Sequence, residues 1–242
     1  ELAASAVNPV TGEALNLTKL DIKGLGKAKY ILKEGGTLGD LYTTSDLRFN
    51  DNGYVEVDKN GNLLMTDEGE DIYLGSVFPN HNLAWRNDFS YKGINLGILF
   101  TARLGGVCYS ATQANLDLYG VSEASAAARD AGGVLINGRE MVDAQKWYQA
   151  IGSQSGLPQY YLYSATNVRL QELSLGYTFP RKWFRDKMGL TVSFVGRNLW
   201  MVYCKAPFDP EAVASTGLNY QGIDYFMMPS MRNLGFNVKF QF

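Results

Sequence analysis

One histidine and two cysteines are all the soft metal ligands and thiol or imidazole nucleophiles in the sequence, and that scarcity excludes several chemistries at once. A tetrahedral structural zinc site lacks ligands, and a Ser-His-Asp arrangement would have to be built on His81 alone. His81 stands in PNHNL, which reads as a turn before a strand and gives the imidazole a structural place. Enzymatic chemistry is therefore disfavoured, and no catalytic residue, metal or cofactor is assigned. Charge is also lean: 19% of residues are charged, the net charge is -2, and no basic stripe offers itself to nucleic acid. No apolar run reaches the roughly 18 residues of a transmembrane helix. The opening ELAASAVNPV has neither the basic nor the apolar region of a signal peptide, so the chain reads as cytosolic, or as a mature or truncated piece of something longer.

What is plentiful is Tyr (15) and Gly (26), a mixture suited to strands and tight turns. Residues 1–82 are turn-rich, with KEGGTLGDLY and RFNDNGYVEVDKNGNLL carrying Asn-Gly punctuation. DKNGN (Asp58 to Asn62) faintly resembles the start of a calcium loop. That loop needs Gly at its sixth position and Glu at its twelfth, whereas Gly61 falls fourth and Gly69 twelfth, so a β-turn is expected.

From residue 84 the texture changes to strands. WRNDFSY puts Trp85, Phe89 and Tyr91 on one face, and INLGILFTARL puts Leu96, Ile98 and Phe100 on one face and Arg103 on the other. NVRLQELSLGYTF sets Leu175 and Tyr177 opposite Glu172, and LTVSFVGRNLWMVY sets Phe194 opposite Ser193. The last ten residues, NLGFNVKFQF, alternate without exception: Leu234, Phe236, Val238, Phe240 and Phe242 against Asn233, Gly235, Asn237, Lys239 and Gln241. Short turns at 92–93 and 180–189 alternate with long connections at 105–166 and 204–230, which include helix-compatible stretches ASAAARDAGG and GREMVDAQKWYQAI.

Short turns on one side and long loops on the other are the pattern of an outer-membrane barrel, and strands of about ten residues suit a tilted crossing. An open edge cannot face lipid, so such strands must belong to a closed barrel. The expected fold is therefore all-β: the C-terminal strands of a large antiparallel transmembrane β-barrel with long extracellular loops. Residues 1–82 would be mainly an extracellular loop region with short hairpins, and residues 83–242 the last five strands with surface loops 105–166 and 204–230. Phe242 would then lie on the periplasmic side, with Tyr91, Trp183, Phe184 and Phe242 at girdle positions. Leu96, Ile98, Phe100, Leu175, Tyr177, Phe194, Phe236 and Phe240 would face lipid, and Arg103, Arg169, Glu172, Arg197 and Lys239 the lumen.

NVRLQELSLGYTFP (Asn167 to Pro180), VGRNLW (Val195 to Trp200) and APFDPE (Ala206 to Glu211) together resemble the C-terminal region of SusC/RagA-type TonB-dependent transporters. LGS, FP and WRNDFSYKGINLGILFTARLGG, spread over Leu74 to Gly106, look like the preceding hairpin, and GGTLGDLY (Gly35 to Tyr42) is similar to the loop before it. The resemblance implies a plugged barrel in the outer membrane of a Gram-negative bacterium, importing glycan oligosaccharides or peptides. It implies a SusD-like surface lipoprotein as partner, the TonB complex as energy source, and a plug and earlier strands that this chain does not contain. Phe242 resembles the terminal aromatic signal by which such barrels are recognised for assembly.

Each sharp reading has a plainer one beside it. The lumen-face charges could contact plug or substrate, or could simply wet a polar lumen. Trp147, Tyr148, Tyr160, Tyr161 and Tyr163 are candidates to stack on cargo sugars, or to pack on themselves or a partner. FDPE reads as a Pro-shaped turn whose acids brace a loop. Cys108 and Cys204 lie on strands separated by a third, about 10 Å apart, and are expected as free thiols. The alternative function is a soluble or surface β-rich glycan-binding or adhesin module, which would bury the apolar strand faces inside a sandwich.

Overall fold

The computed structural model describes residues 6–7, 10–12, 14–15, 19–66, 69–152, 155–215, 217 and 220–242. The chain divides into two compact units. One comprises residues 79–106, 164–212 and 228–242, and the other residues 1–78, 107–163 and 213–227.

The first unit is a single antiparallel sheet of five strands: β1 (His81–Tyr91), β2 (Ile94–Leu104), β3 (Asn167–Phe179), β4 (Gly189–Cys204) and β5 (Asn233–Gln241). Each strand pairs only with its neighbours in sequence, so the sheet is an up-and-down meander ordered β5-β4-β3-β2-β1. β1 begins at His81, which pairs with Leu104, so the histidine opens the strand instead of sitting in a turn before it. Lys92 (φ 48°) and Gly93 (φ 89°) make the β1–β2 reversal, where left-handed backbone is required. The β3–β4 reversal is a short 3-10 turn, Arg181–Phe184, closed by left-handed Arg185.

Register sorts the side chains by face. Trp85 lies opposite Phe100 and Phe89 opposite Leu96, Leu96 meets Leu175, Leu175 meets Phe194, and Phe194 meets Phe236. A second row runs Ile94, Tyr177, Val192 and Val238. This face is open: Trp85 is 61% exposed, Phe194 51% and Phe236 82%.

The second unit has the opposite organisation, with its apolar residues inside. Strands Lys19–Leu25, Ala28–Lys33, Asp40–Thr43 and Ile72–Ser76 form one antiparallel sheet. Three helices follow: α1 (Ala111–Leu118), α2 (Glu123–Asp130) and α3 (Ala144–Ile151), capped by Ser110, Ser122 and Asp143 side chains that accept from the N–H of the third helical residue, Gln113, Ser125 and Lys146. Tyr30, Leu41, Leu47, Val77, Tyr109, Ile151, Leu157 and Tyr161 build the shared core. Cys108 is buried in this unit and Cys204 half-buried in the sheet, and the two are not joined in a disulfide.

Between the third and fourth strands of this unit lies a threefold device of period eight. Leu47 bridges Met65, Phe49 bridges Val55 and Val57 bridges Leu63. The central residues close a ring: Arg48 N–H donates to Leu64, Leu64 to Glu56 and Glu56 to Arg48. The turns repeat as well. Asn50 Oδ1 accepts from the N–H of Asn52 and Tyr54, and eight residues on Asp58 Oδ1 accepts from Asn60 and Asn62. DKNGN is thus a β-turn, with Gly61 N–H donating to the Asp58 carbonyl at 3.0 Å. Hydrogen bonds from the Asn62 N–H, the Asn62 side-chain amide and the Asn60 N–H hold the Asp58 carboxyl below the usual carboxylate range.

Candidate functional site

The polar face of the sheet carries an ordered ladder of charge. Arg86 on β1 lies level with Leu99, Glu172 and Arg197 on the next three strands. The Glu172 carboxylate accepts from Arg197 Nε at 3.0 Å and lies 3.6 Å from Arg86 Nη1. Arg86 also donates to its neighbour Asp88 at 2.8 Å. Nearer the short turns, Ser90, Asn95, Thr178 and Thr191 are joined by side-chain hydrogen bonds of 2.9 to 3.1 Å. A cross-strand chain of this kind leaves a wettable surface backed by an apolar one, as a barrel wall requires.

Strict alternation could not have placed both Arg169 and Glu172 on this face, because one position is odd and the other even. A bulge between Leu170 and Glu172 resolves the conflict by inserting Gln171 and restoring the alternation beyond it. Arg103 pairs with Asn82 and Asn167, Arg197 with Glu172, and Lys239 with Thr191, all on the polar side. The eight apolar candidates Leu96, Ile98, Phe100, Leu175, Tyr177, Phe194, Phe236 and Phe240 fall on the opposite side. Phe242 follows the last strand and is 95% exposed.

At the loop end of β3 the polar face closes into a buried cluster. The Arg169 side chain, 3% exposed, forms an ion pair with Asp209 from the FDPE turn. Its Nη1 also donates to Asp209 Oδ2 at 3.1 Å and to Ser230 Oγ at 3.0 Å, and its Nε donates to Asn167 Oδ1 at 3.0 Å. Asn198, in the left-handed conformation on β4 (φ 51°), donates to Ser230 Oγ at 2.8 Å. Asp209 and Ser230 stand at the two ends of the long connection between β4 and β5, so the cluster ties both ends to the sheet. Burial raises the Asp209 pKa, but hydrogen bonds from Arg169, Ser230 and the Glu211 N–H outweigh it and hold it at about 2. The bracing expected of FDPE thus falls to Asp209, and Arg169 is saturated by internal partners.

In the second unit the aromatic candidates divide. Tyr161 is buried in the core, and burial with the nearby Asp117 charge pushes its hydroxyl pKa upward. Trp147 and Tyr148 are half-buried against the same core. Trp147 meets Tyr160 edge-on at 6.1 Å, and Tyr160 keeps 39% of its surface exposed. Tyr163 is half-buried. Tyr148 also lines a cavity of about 440 Å³ between the end of α1, α2 and the start of α3, together with Asp117, Tyr119, Arg129 and Asp143. Sequence reasoning did not find this cavity, because its lining comes from three helices of which α1 gave no signal.

No family model matches the chain. It is 26% identical over 198 residues to the TonB-dependent receptor P3 of Formosa agariphila, covering 77% of this chain and 19% of that protein. The solved RagAB peptide transporter superposes with a TM-score of 0.53 at 19% identity, over 95% of this chain and 25% of the matched one. The chain therefore spans about a fifth to a quarter of the proteins it matches. Its fold is that of the matched part of the transporter chain, with the antiparallel strands of a β-barrel that this chain leaves open. The two matches agree with the sequence motifs in making the chain similar to part of a SusC/RagA-type transporter.

Proposed function

We propose that the chain forms part of an importer in the outer membrane of a Gram-negative bacterium, taking up glycan oligosaccharides or peptides with energy from the TonB complex. A SusD-like surface lipoprotein is its partner, and the remainder of the barrel and its plug complete it. The observation that carries this reading is the register, which puts every apolar candidate on one face of five long paired strands and every charged one on the other. The names of its matches, a TonB-dependent receptor and a peptide transporter, support import as the activity. In this reading the long connections are extracellular, the short turns and Phe242 periplasmic, and the Arg86–Glu172–Arg197 ladder lines the lumen. The chain performs no catalytic step. Tyr148 at the helical cavity and the exposed ring of Tyr160 are the aromatic groups placed to meet cargo, while Trp147, Tyr161 and Tyr163 support them.

Membrane fractionation of cells expressing the full-length protein tests this. The protein should remain in the outer-membrane fraction after salt and carbonate washes, require detergent for release, and migrate differently with and without boiling. Recovery in the soluble fraction would favour the glycan-binding or adhesin module and end the transporter reading.

A further inference from the structure

We infer that the short-turn end of the sheet is a docking surface for anionic phospholipid headgroups, an inference that rests on the membrane reading above. Lys92 in the first turn and Arg181, Lys182, Arg185 and Lys187 in the second are all exposed, and Asp186 is the one acid among them. The two turns are adjacent. Thr178 N–H donates to the Gly93 carbonyl at 2.7 Å, and Tyr177 pairs with Ile94. The second turn is tightly closed: Asp186 N–H donates to the Arg181 carbonyl at 3.1 Å, and Arg185 and Asp186 are both left-handed (φ 55° and 58°). Four cations are thereby gathered in a single reversal.

Two independent features point to a lipid. First, three arginines of the polar face have carboxylates: Arg86 has Asp88, Arg169 has Asp209 and Arg197 has Glu172. Among the ion pairs of the described residues, none engages a cation of the turns. Second, the apolar face continues into this end as a chain of rings. Tyr177 meets Phe179 at 5.0 Å, and Phe179 meets Trp183 at 5.6 Å. Trp183 is 67% exposed and Tyr91 is 69% exposed, with the Lys92 ammonium 5.2 Å above the Tyr91 ring centroid. Amphipathic rings settle at headgroup depth, and unneutralised cations just beyond them meet the phosphates. A phosphate free in solution would use the cations but leave the rings without purpose.

The test uses the full-length protein, purified folded and reconstituted into phosphatidylcholine vesicles containing a minor fraction of phosphatidylglycerol. Lipid retained on the protein after mild detergent extraction is identified by mass spectrometry. Phosphatidylglycerol should be enriched on the order of tenfold over its bulk fraction and displaced by rising salt. The enrichment should disappear on combining Lys92→Gln, Arg181→Gln, Lys182→Gln, Arg185→Asn and Lys187→Gln, where Asn suits the left-handed site. A milder combination, Lys92→Gln, Lys182→Gln and Lys187→Gln, leaves the turn's shape to Arg181 and Arg185, and should lose most of the enrichment if the larger variant misfolds. Heat-dependent migration reports insertion separately. An inserted protein with no preference, or one whose preference inorganic phosphate abolishes at constant ionic strength, overturns the inference while the barrel reading stands. Failure of the unmodified protein to insert overturns both.

Discussion

Arg169 on β3 and Asp209 beyond β4 meet as a buried ion pair forty residues apart in sequence, with side chains only 3% and 7% exposed. Their contact holds a long connection at its origin, and Ser230, bonded to both, holds it at its return. Asp209→Asn keeps the shape and the neutral partners but leaves Glu211, 3.6 Å away and 41% exposed, as the carboxylate facing the guanidinium. The expected cost is about 3–5 kcal/mol, read by denaturant unfolding of the full-length protein in detergent. Replacing both partners together, Arg169→Met with Asp209→Leu, should recover most of that loss. Equal stability of Asp209→Asn and the parent would show that the pair braces nothing.

The same pair sets a pH dependence. Asp209 is held at about 2 in the fold, below the ordinary carboxylate value of 3.8. A lowered folded pKa means that its contribution, on the order of 2 kcal/mol, is fully present above about pH 4 and disappears as pH falls toward 2. Acid-protease cleavage within residues 205–230 should therefore stay slow at pH 4 and accelerate near pH 2. In Asp209→Asn the acceleration should be absent, because cleavage is fast throughout. A parent loop that opens between pH 5 and 4 would contradict this assignment.

Phe236 and Asn237 are neighbours on β5 with opposite fates. Phe236 sits against Phe194 on the apolar face, and Asn237 against Ser193 on the polar one. Phe236→Arg should cost roughly 2–4 kcal/mol if the site lies near the bilayer midplane, and Asn237→Arg well under half as much. Refolding equilibria into lipid vesicles measure both. Similar costs would mean that the two faces do not differ in their surroundings.

Much of the sheet was legible from alternation. The bounds of β2 and β3 coincide with the runs INLGILFTARL and NVRLQELSLGYTF, since Gly93 and Pro180 end ladders for reasons local to those residues. What alternation cannot carry is a change of phase. The bulge at Gln171 depends on partners in two other strands, so the shared face of Arg169 and Glu172 emerges only from pairing. The partner of Arg169 was equally hidden, because Asp209 lies forty positions further along the chain. α1 was missed for another reason: ATQANLDL is weakly patterned, and its Ser110 cap and core contacts at Ala111 and Ala114 stabilise it through tertiary structure. The period of eight in residues 47–65 was present in the sequence, with Gly53, Gly61 and Gly69 spaced evenly. Comparing the segment with itself would have revealed it.

That repeat makes a prediction about its turns. Gly53 (φ 76°) and Gly61 (φ 74°) are both left-handed, and a Cβ at Gly53 would meet nothing within 4 Å. Gly53→Ala therefore carries only the conformational penalty, about 1 kcal/mol, with no clash to confuse it. Gly53→Asn should cost less, since Asn tolerates left-handed backbone. Asp58→Ala should cost more than either glycine change, because it leaves the N–H groups of Asn60 and Asn62 and the Asn62 amide without their acceptor. Hydrogen exchange at the ring amides of Arg48, Glu56 and Leu64 offers a local readout, rising in the order Gly53→Asn, Gly53→Ala, Asp58→Ala. If protection fell at only one of the three amides, the turns would be independent hairpins and the ring would not be a cooperative unit.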